Sequence, residues 1–434
     1  MKKTILTAIL LSAFCHEMFA QEDTKIYQKP EGKDIFIPKD LKNNDFTKAD
    51  SKWSYARMAT TDNVVVFWEK PFGPDLAKAP DLEGKSMKVD INNLVNRIED
   101  FYTFFRDTLK FIGPGSKAER YRMMAMLNYS LEGTAYGGDY DGQIGALWIS
   151  PNRVQDHKLN CIAHELGHSF QSQIMCDGTG EAWGGGGIFE MASQWMLWQV
   201  NPEWVTDENY HWQAFTKHNH LAFLHMENIY HSPFVLEYWG QQRGREIIGE
   251  LFRQGKRGED PLQTYQRVNN LTKEELAEEM FECYRHLITF DFPRVRKVCA
   301  KYANQISNEC TTDKNGWTTP VESVLPQQYG FNVIPVNIPA KGKKVSAEFI
   351  GDNSAQASWE IGFVGVKSDG TAVYSERQTA LPGAKAKLTF KDDAIKEFSH
   401  LWFVVMPTPD KYQSMNRFDR NPSYTTYPYK VKFK

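Results

Sequence analysis

The chain reads as an α+β protein that ends in an all-β sandwich. Three observations predict this. A long amphipathic helical pattern sits among short strand-like runs over residues 54–150. Helical patterns without strands then occupy roughly 155–310. Seven short alternating segments crowd the last hundred residues, as the strands of a sandwich do.

The elements follow in order. Lys2 and Lys3 precede an apolar run from Thr4 to Phe14, and Ala20 stands before Gln21. This pattern predicts a signal peptide over 1–20 and an exported chain. Cys15 offers a lipoprotein alternative, which the bulky Phe14 before it disfavours. No other stretch approaches the ~20 apolar residues that span a bilayer. Residues 21–53 are polar and charged and predict an extension along the surface. Residues 54–68, ending Val64-Val65-Val66-Phe67-Trp68, predict one or two strands. Ile91, Leu94, Val95, Ile98, Phe101, Tyr102, Phe105 and Leu109 recur at helical spacing. Tyr121–Tyr129 reads as a strand, Gly133–Gly145 as a glycine-rich loop, and Ala146–Ser150 as an edge strand able to pair with an extended peptide. Ser232-Pro233 and Thr272 mark helix starts. Residues 311–330, rich in Gly and Pro, read as a linker between a domain at 54–310 and the sandwich at 331–434.

Composition narrows the function. The formal net charge of the 434 residues is −3 with no long basic run, so nucleic acid and anionic membrane are poor partners. Five cysteines remain after the leader. That odd number cannot all pair, though Cys299 and Cys310 are close enough in sequence to bridge. The alternative is that they are small buried apolar groups.

The strongest signal is His164-Glu165-Leu166-Gly167-His168. On a helix, residues four apart share a face, so both imidazoles can reach one Zn2+, and the intervening glutamate can take a proton from water. Leu159, Ile162, Ala163, Leu166, Phe170 and Ile174 fall on one side of that helix, with the histidines nearly opposite. Glu190 lies in an otherwise apolar segment, Ile188 to Trp198. A carboxylate there needs a partner, and a metal is one. Two His and one Glu leave a coordination position open, as in catalytic zinc sites. Glu181 is the rival third ligand, in a glycine-rich loop. The rival to metal binding is a pair of surface histidines, with Glu190 either ion-paired to an arginine or at a partly exposed end of its helix.

At these residues the sequence resembles the gluzincin metallopeptidases, the thermolysin-like group of zincins. Their HExxH is followed some twenty residues on by a helix that carries a glutamate ligand and often reads Asn-Glu-x-x-Ser-Asp. Glu190 and Ser193 match that pattern, Phe189 replaces the asparagine, and Gln194 replaces the aspartate that supports the first histidine. The departure points to a divergent secreted branch. The order of helix, strand, glycine-rich loop, edge strand and HExxH helix is similar to a zincin core over 54–310. The layout as a whole is similar, more distantly, to enhancin and mucin-degrading peptidases. The resemblance implies a zincin-like catalytic domain and hydrolysis of peptide or glycoprotein substrates outside the cytoplasm. It also implies a Tyr or His from a later helix at the oxyanion, for which Tyr230 and His231 are the candidates.

Weaker features have blander readings. His211, His218, His220 and His225 read as solvated or core histidines. Asp139 and Asp141 read as a turn rather than a calcium site. Trp183, Trp195, Trp198, Trp204 and Trp212 read mostly as core rather than sugar platforms. Two rival functions remain. One is a zinc hydrolase of another bond, for example in a glycan. The other is a catalytically silent module that uses the sandwich to hold a glycan or protein.

Overall fold

A computed structural model describes residues 25–180, 183, 188–339, 344–354, 356–415 and 424–434. The expected leader at 1–20, with Cys15, and Glu181 lie outside these residues. The chain divides into two compact units, residues 1–180 and 181–434.

The first unit is built on a sheet of order β1-β2-β3-β5-β4. Its strands are β1 (Met58–Thr60), β2 (Val64–Trp68), β3 (Met123–Leu127), β4 (Ala135–Tyr140) and β5 (Ile144–Ile149). β2, β3 and β5 run parallel, and the edge strands β1 and β4 are antiparallel to their neighbours. β2 and β3 are buried along their whole length, which is why they read as unbroken apolar runs. Helix α1 (Ile91–Asp107) starts where the Asp90 side chain accepts the Asn93 N–H. It buries the stripe Leu94, Val95, Ile98, Phe101, Tyr102 and Phe105. Helix α2 (Asn160–Cys176) packs beside it, with Phe170 edge-on to both Tyr102 and Phe105.

Two expectations change here. The Ala146–Ser150 segment is not an edge strand: β5 is covered by β3 on one side and β4 on the other. The edge is β4, inside the stretch read as a glycine-rich loop. Its AYGGDY sequence has no apolar alternation, so its strand character comes from pairing with β5 rather than from propensity. The extension before residue 54 is likewise not merely superficial. Phe46 and Trp53 are buried against Val65, Phe67, Met124, Met126 and Ala146, and cover the second face of the sheet.

In the second unit come α3 (Ile188–Val200), α4 (Trp204–Asp207), α5 (Asn209–His218), α6 (Phe234–Arg243), α7 (Ile247–Gln254), α8 (Pro261–Val268), α9 (Lys273–Leu287) and α10 (Arg296–Cys299). Thr272 caps α9 in a capping box with Glu275. Ser232 does not cap α6. Its hydroxyl donates to Asn228 O at 3.2 Å, continuing the preceding turn, and α6 begins at Phe234 without a side-chain cap. Inside the helical region the Arg294 guanidinium forks onto the buried Glu237 carboxylate at 2.8 and 3.0 Å. Trp195 Nε1 and Gln199 Nε2 of α3 donate to the same carboxylate at 3.1 and 2.6 Å. This network fixes α3 within its unit.

The C-terminal region forms two five-stranded sheets. One contains β8 (Asn332–Pro335), β10 (Ala357–Lys367), β11 (Ala372–Tyr374), β12 (Gln378–Ala380) and β14 (Phe398–Pro409). The other has the order β13-β9-β15-β7-β6, from β13 (Lys385–Lys391), β9 (Lys344–Gly351), β15 (Tyr429–Phe433), β7 (Thr318–Pro320) and β6 (Cys310–Thr312). Alternate residues of both sheets enter one core, including Phe349, Trp359, Phe363, Phe390, Phe403 and Val431. All seven expected strands are present. The stretch 311–330, expected as a linker, instead supplies β7 and most of β6 to the second sheet.

None of Cys161, Cys176, Cys283, Cys299 and Cys310 is in a disulfide, so Cys299 and Cys310 do not bridge. Burial pushes the thiols of Cys176 and Cys299 up to about 12 and that of Cys310 up to about 11. The fully buried Cys283 is held well above the ordinary thiol range for the same reason. No described helix is long and apolar enough to cross a membrane.

Candidate metal centre

The first unit presents the HExxH segment on α2. Leu159, Ile162, Ala163, Leu166, Phe170 and Ile174 are buried, as the helical pattern requires. His164 and His168, one turn apart, turn their rings to each other with Nε2 atoms 3.2 Å apart. Two nitrogens bound to one tetrahedral zinc at ~2.0–2.1 Å would stand about 3.3 Å apart, so the pair fits the ion without rearrangement. His168 Nδ1 lies 3.0 Å from Gln171 Oε1. That acceptor places the proton on Nδ1 and leaves the lone pair on Nε2, the tautomer a metal requires.

Between the apolar stripe and the histidines, a third face of α2 is covered by the sheet. Glu165, Ser169 and Gln173, at four-residue spacing, meet the last two strands of the sheet. Gly137 N–H of β4 donates to Glu165 Oε2 at 2.9 Å. Ser169 Oγ donates to Ala146 O at 2.7 Å, and Gly145 N–H donates to Gln173 Oε1 at 2.9 Å. The approach is so close that a Cβ on Gly137 would stand 1.8 Å from Glu165 O, and one on Gly145 would stand 2.6 Å from Ser169 O. Glycine is required at both points by space rather than by backbone angle. This seating of Glu165 on the edge strand was not foreseen. Its only trace in the sequence is the matched spacing of Glu165, Ser169 and Gln173.

Glu190, Tyr230 and His231 belong to the second unit. Glu190 is half-buried in the first turn of α3, where the positive end of the helix dipole favours a carboxylate. One turn on, Gln194 lies 3.0 Å from His211 Nε2 through its Nε2. His211 Nδ1 lies 2.6 Å from His231 Nδ1. Gln194, the departure from the gluzincin pattern, thus engages a histidine of its own unit. His211, read as solvated or core, is the buried middle of a Gln194–His211–His231 chain. Burial, reinforced by His211 and His218 nearby, lowers His231 to about 4 and keeps it neutral near pH 7. Its Nδ1 is engaged by His211. Tyr230 is 40% exposed.

The other features take their bland readings. Asp139 Oδ1 accepts the Gly142 N–H at 2.7 Å, and Asp141 Oδ2 accepts the Lys39 N–H at 2.7 Å, as turn and surface bonds. The five tryptophans are buried, so they form core and not sugar platforms.

No curated protein matches the chain. Among solved structures it is similar to the ZmpB metallopeptidase from Clostridium perfringens, at 15% identity over 89% of this chain and 71% of that one, with a TM-score of 0.32. It is similar to the M60 catalytic domain of Clostridium perfringens ZmpC, solved in complex with the sialyl T antigen, at 13% identity over 84% and 68%, with a TM-score of 0.31. A family 22 carbohydrate binding module of Clostridium thermocellum Xyn10B matches at 12% identity over 23% of this chain, with a TM-score of 0.15. This chain spans 60% of that module's own length. Residues 27–434 match the model of DUF6055, a family of unknown function, and the chain belongs to that family.

Proposed function

We propose that the protein is an exported zinc metallopeptidase, with a zincin-like catalytic region followed by a β-sandwich. In this reading His164, His168 and Glu190 supply the three protein ligands. The observation that carries it is the pair of Nε2 atoms 3.2 Å apart, with the Glu165 carboxylate anchored beside them on the edge strand. When bound, zinc supplies a Lewis acid that polarises a carbonyl and lowers the pKa of water to ~7.

This chain's residues do the rest. Glu165 is held at Oε2 by Gly137 N–H, so Oε1 is the oxygen that accepts a proton from the attacking water and returns it to the leaving amine. His231, kept neutral, donates through Nε2 to the developing oxyanion, with Tyr230 as the second candidate for that role. An extended peptide or glycoprotein substrate adds to β4. Ser150 N–H bonds Thr134 O. The alternation of an antiparallel pair then turns the main-chain groups of Ala135 and Asp139 and the Gly137 carbonyl toward the edge, while the Gly137 N–H is taken by Glu165.

The test is Glu165→Gln, which keeps the side chain's size and removes its ability to take a proton. Zinc content should stay at the wild-type level while hydrolysis of protein or glycoprotein substrates falls ~10²–10⁴-fold. A variant that retains zinc and cleaves at the wild-type rate would refute the assignment.

A further inference from the structure

We propose that the outer face of the β13-β9-β15-β7-β6 sheet docks an acidic polysaccharide. Ala386, Leu388, Phe390, Val345, Ala347, Phe349, Tyr429 and Val431 enter the core. Strand alternation therefore turns Lys385, Lys387 and Lys391 of β13 and Lys430 and Lys432 of β15 outward, and Lys434 follows β15. The register sets Lys385 and Lys430 on either side of Ile350, and Lys387 and Lys432 on either side of Glu348.

Among the described residues, two carboxylates meet this field of lysines. Glu348 pairs with Lys434 and, at 3.6 Å, with Lys385. Asp313 lies near Lys430 and Lys432. Lys387, Lys391 and Lys430 make no ion pair among the described residues. A chain of net charge −3 thus concentrates positive charge on one sheet face. Guarding an exposed edge explains lysines on β13. It does not explain those on β15, which is covered by β9 and β7.

Charge complementarity selects a polyanion, and the shape of the face selects among polyanions. It is a pleated surface with no helix or ribbon to enter the groove of a duplex. No large apolar side chain of β9, β13 or β15 is exposed to enter a bilayer. The Trp317 ring draws the Lys430 and Lys385 ammonium groups to 5.1 and 6.0 Å from its centre. It thus gathers cations from two strands at one aromatic surface. An aromatic ring flanked by cations suits sugar rings that carry carboxylate or sulfate groups.

The test uses the full chain in the presence of a chelator, so that its outcome is separate from the proposed catalysis. Binding to immobilised heparin and polygalacturonate is compared with binding to neutral dextran, phosphatidylserine vesicles and duplex DNA. The protein should bind heparin or polygalacturonate, with affinity falling as salt rises. The triple variant Lys387→Glu, Lys391→Glu, Lys430→Glu alters three lysines without ion pairs. It should keep the wild-type circular dichroism and lose about a hundredfold in affinity. The proposal is overturned by absence of binding to both polysaccharides, by equal binding of the triple variant, or by tighter binding to vesicles or DNA.

Discussion

Replacing Gly137 by alanine tests the seating of the helix on the edge strand. The added Cβ would stand 1.8 Å from Glu165 O, 2.8 Å from Glu165 C and 2.9 Å from His168 Cβ. Two of these atoms are main chain, so no rotamer change relieves the clash. β4 and α2 would have to part by about 1.5 Å to recover ordinary van der Waals separation. Overpacking costs about 1–3 kcal/mol. The Gly137 N–H bond to the Glu165 carboxylate, 2.9 Å long, would break, which adds about 1.5–3 kcal/mol. Gly137→Ala should therefore destabilise the fold by about 3–5 kcal/mol, read by urea denaturation followed by circular dichroism. Two controls lie close by. Gly145→Ala, with its Cβ at 2.6 Å from Ser169 O, should cost less. Gly138→Ala, on the opposite face of β4 and meeting Trp148 at an ordinary 3.4 Å, should cost least. If Gly137→Ala unfolds at the wild-type urea concentration, or if Gly138→Ala is the more damaging change, β4 does not lie on α2 as described.

The remaining expectations concern ligands, pH and the buried ion pair. His164→Ala, His168→Ala and Glu190→Ala should each strip zinc from the purified protein, measured by elemental analysis; full occupancy in Glu190→Ala would shift the third ligand to Glu181. Burial lowers both His220 and His231 to about 4 from 6.5. Their contribution to stability is therefore present above pH 6.5 and is lost as pH falls toward 4, because the unfolded chain binds protons that the folded one refuses. The thermal midpoint should fall over that window, and a double His220→Gln, His231→Gln variant should flatten the fall. Arg294→Met leaves Glu237 buried without its cation and should cost about 3–5 kcal/mol, read by denaturation. Glu237→Gln with Arg294→Met, which removes both charges, should recover part of it.

The parts of the fold legible in the sequence are those that carry their own signal. The stripe of α1 with its Asp90 cap, the apolar face of α2, the run at β2 and the alternating strands after residue 331 all rest on local periodicity. What escaped reading depends on distant partners. β4 is a strand because β5 and α2 take up its main-chain groups, although Gly137 and Gly138 deprive it of any strand pattern. Phe46 and Trp53 sit alone in a polar stretch, and only the sheet face they cover gives them meaning. β6 and β7, three residues each, are too short to show alternation. At the site, the spacing of His164, Glu165 and His168 was legible because helix geometry alone brings the two imidazoles together. The link from Gln194 through His211 to His231 was not, because it joins three segments through side chains that composition would leave in solvent.

The buried thiols have a kinetic consequence. A thiol whose pKa stands near 12 holds a vanishing fraction of thiolate at neutral pH, and exchange with disulfides proceeds through the thiolate. Once folded, Cys176, Cys283 and Cys299 are therefore closed to oxidants. In the unfolded chain the same thiols return to ~8.5 and react readily. If the chain is exported to an oxidising compartment, as proposed, the hazard is concentrated in the interval between arrival and folding. A substitution that slows folding, even one far from any cysteine, would lengthen that interval and divert molecules into mispaired disulfides. Refolding yield in oxidised against reduced glutathione would register the difference, while Cys176, Cys283 and Cys299 of the folded protein should stay unmodified in either.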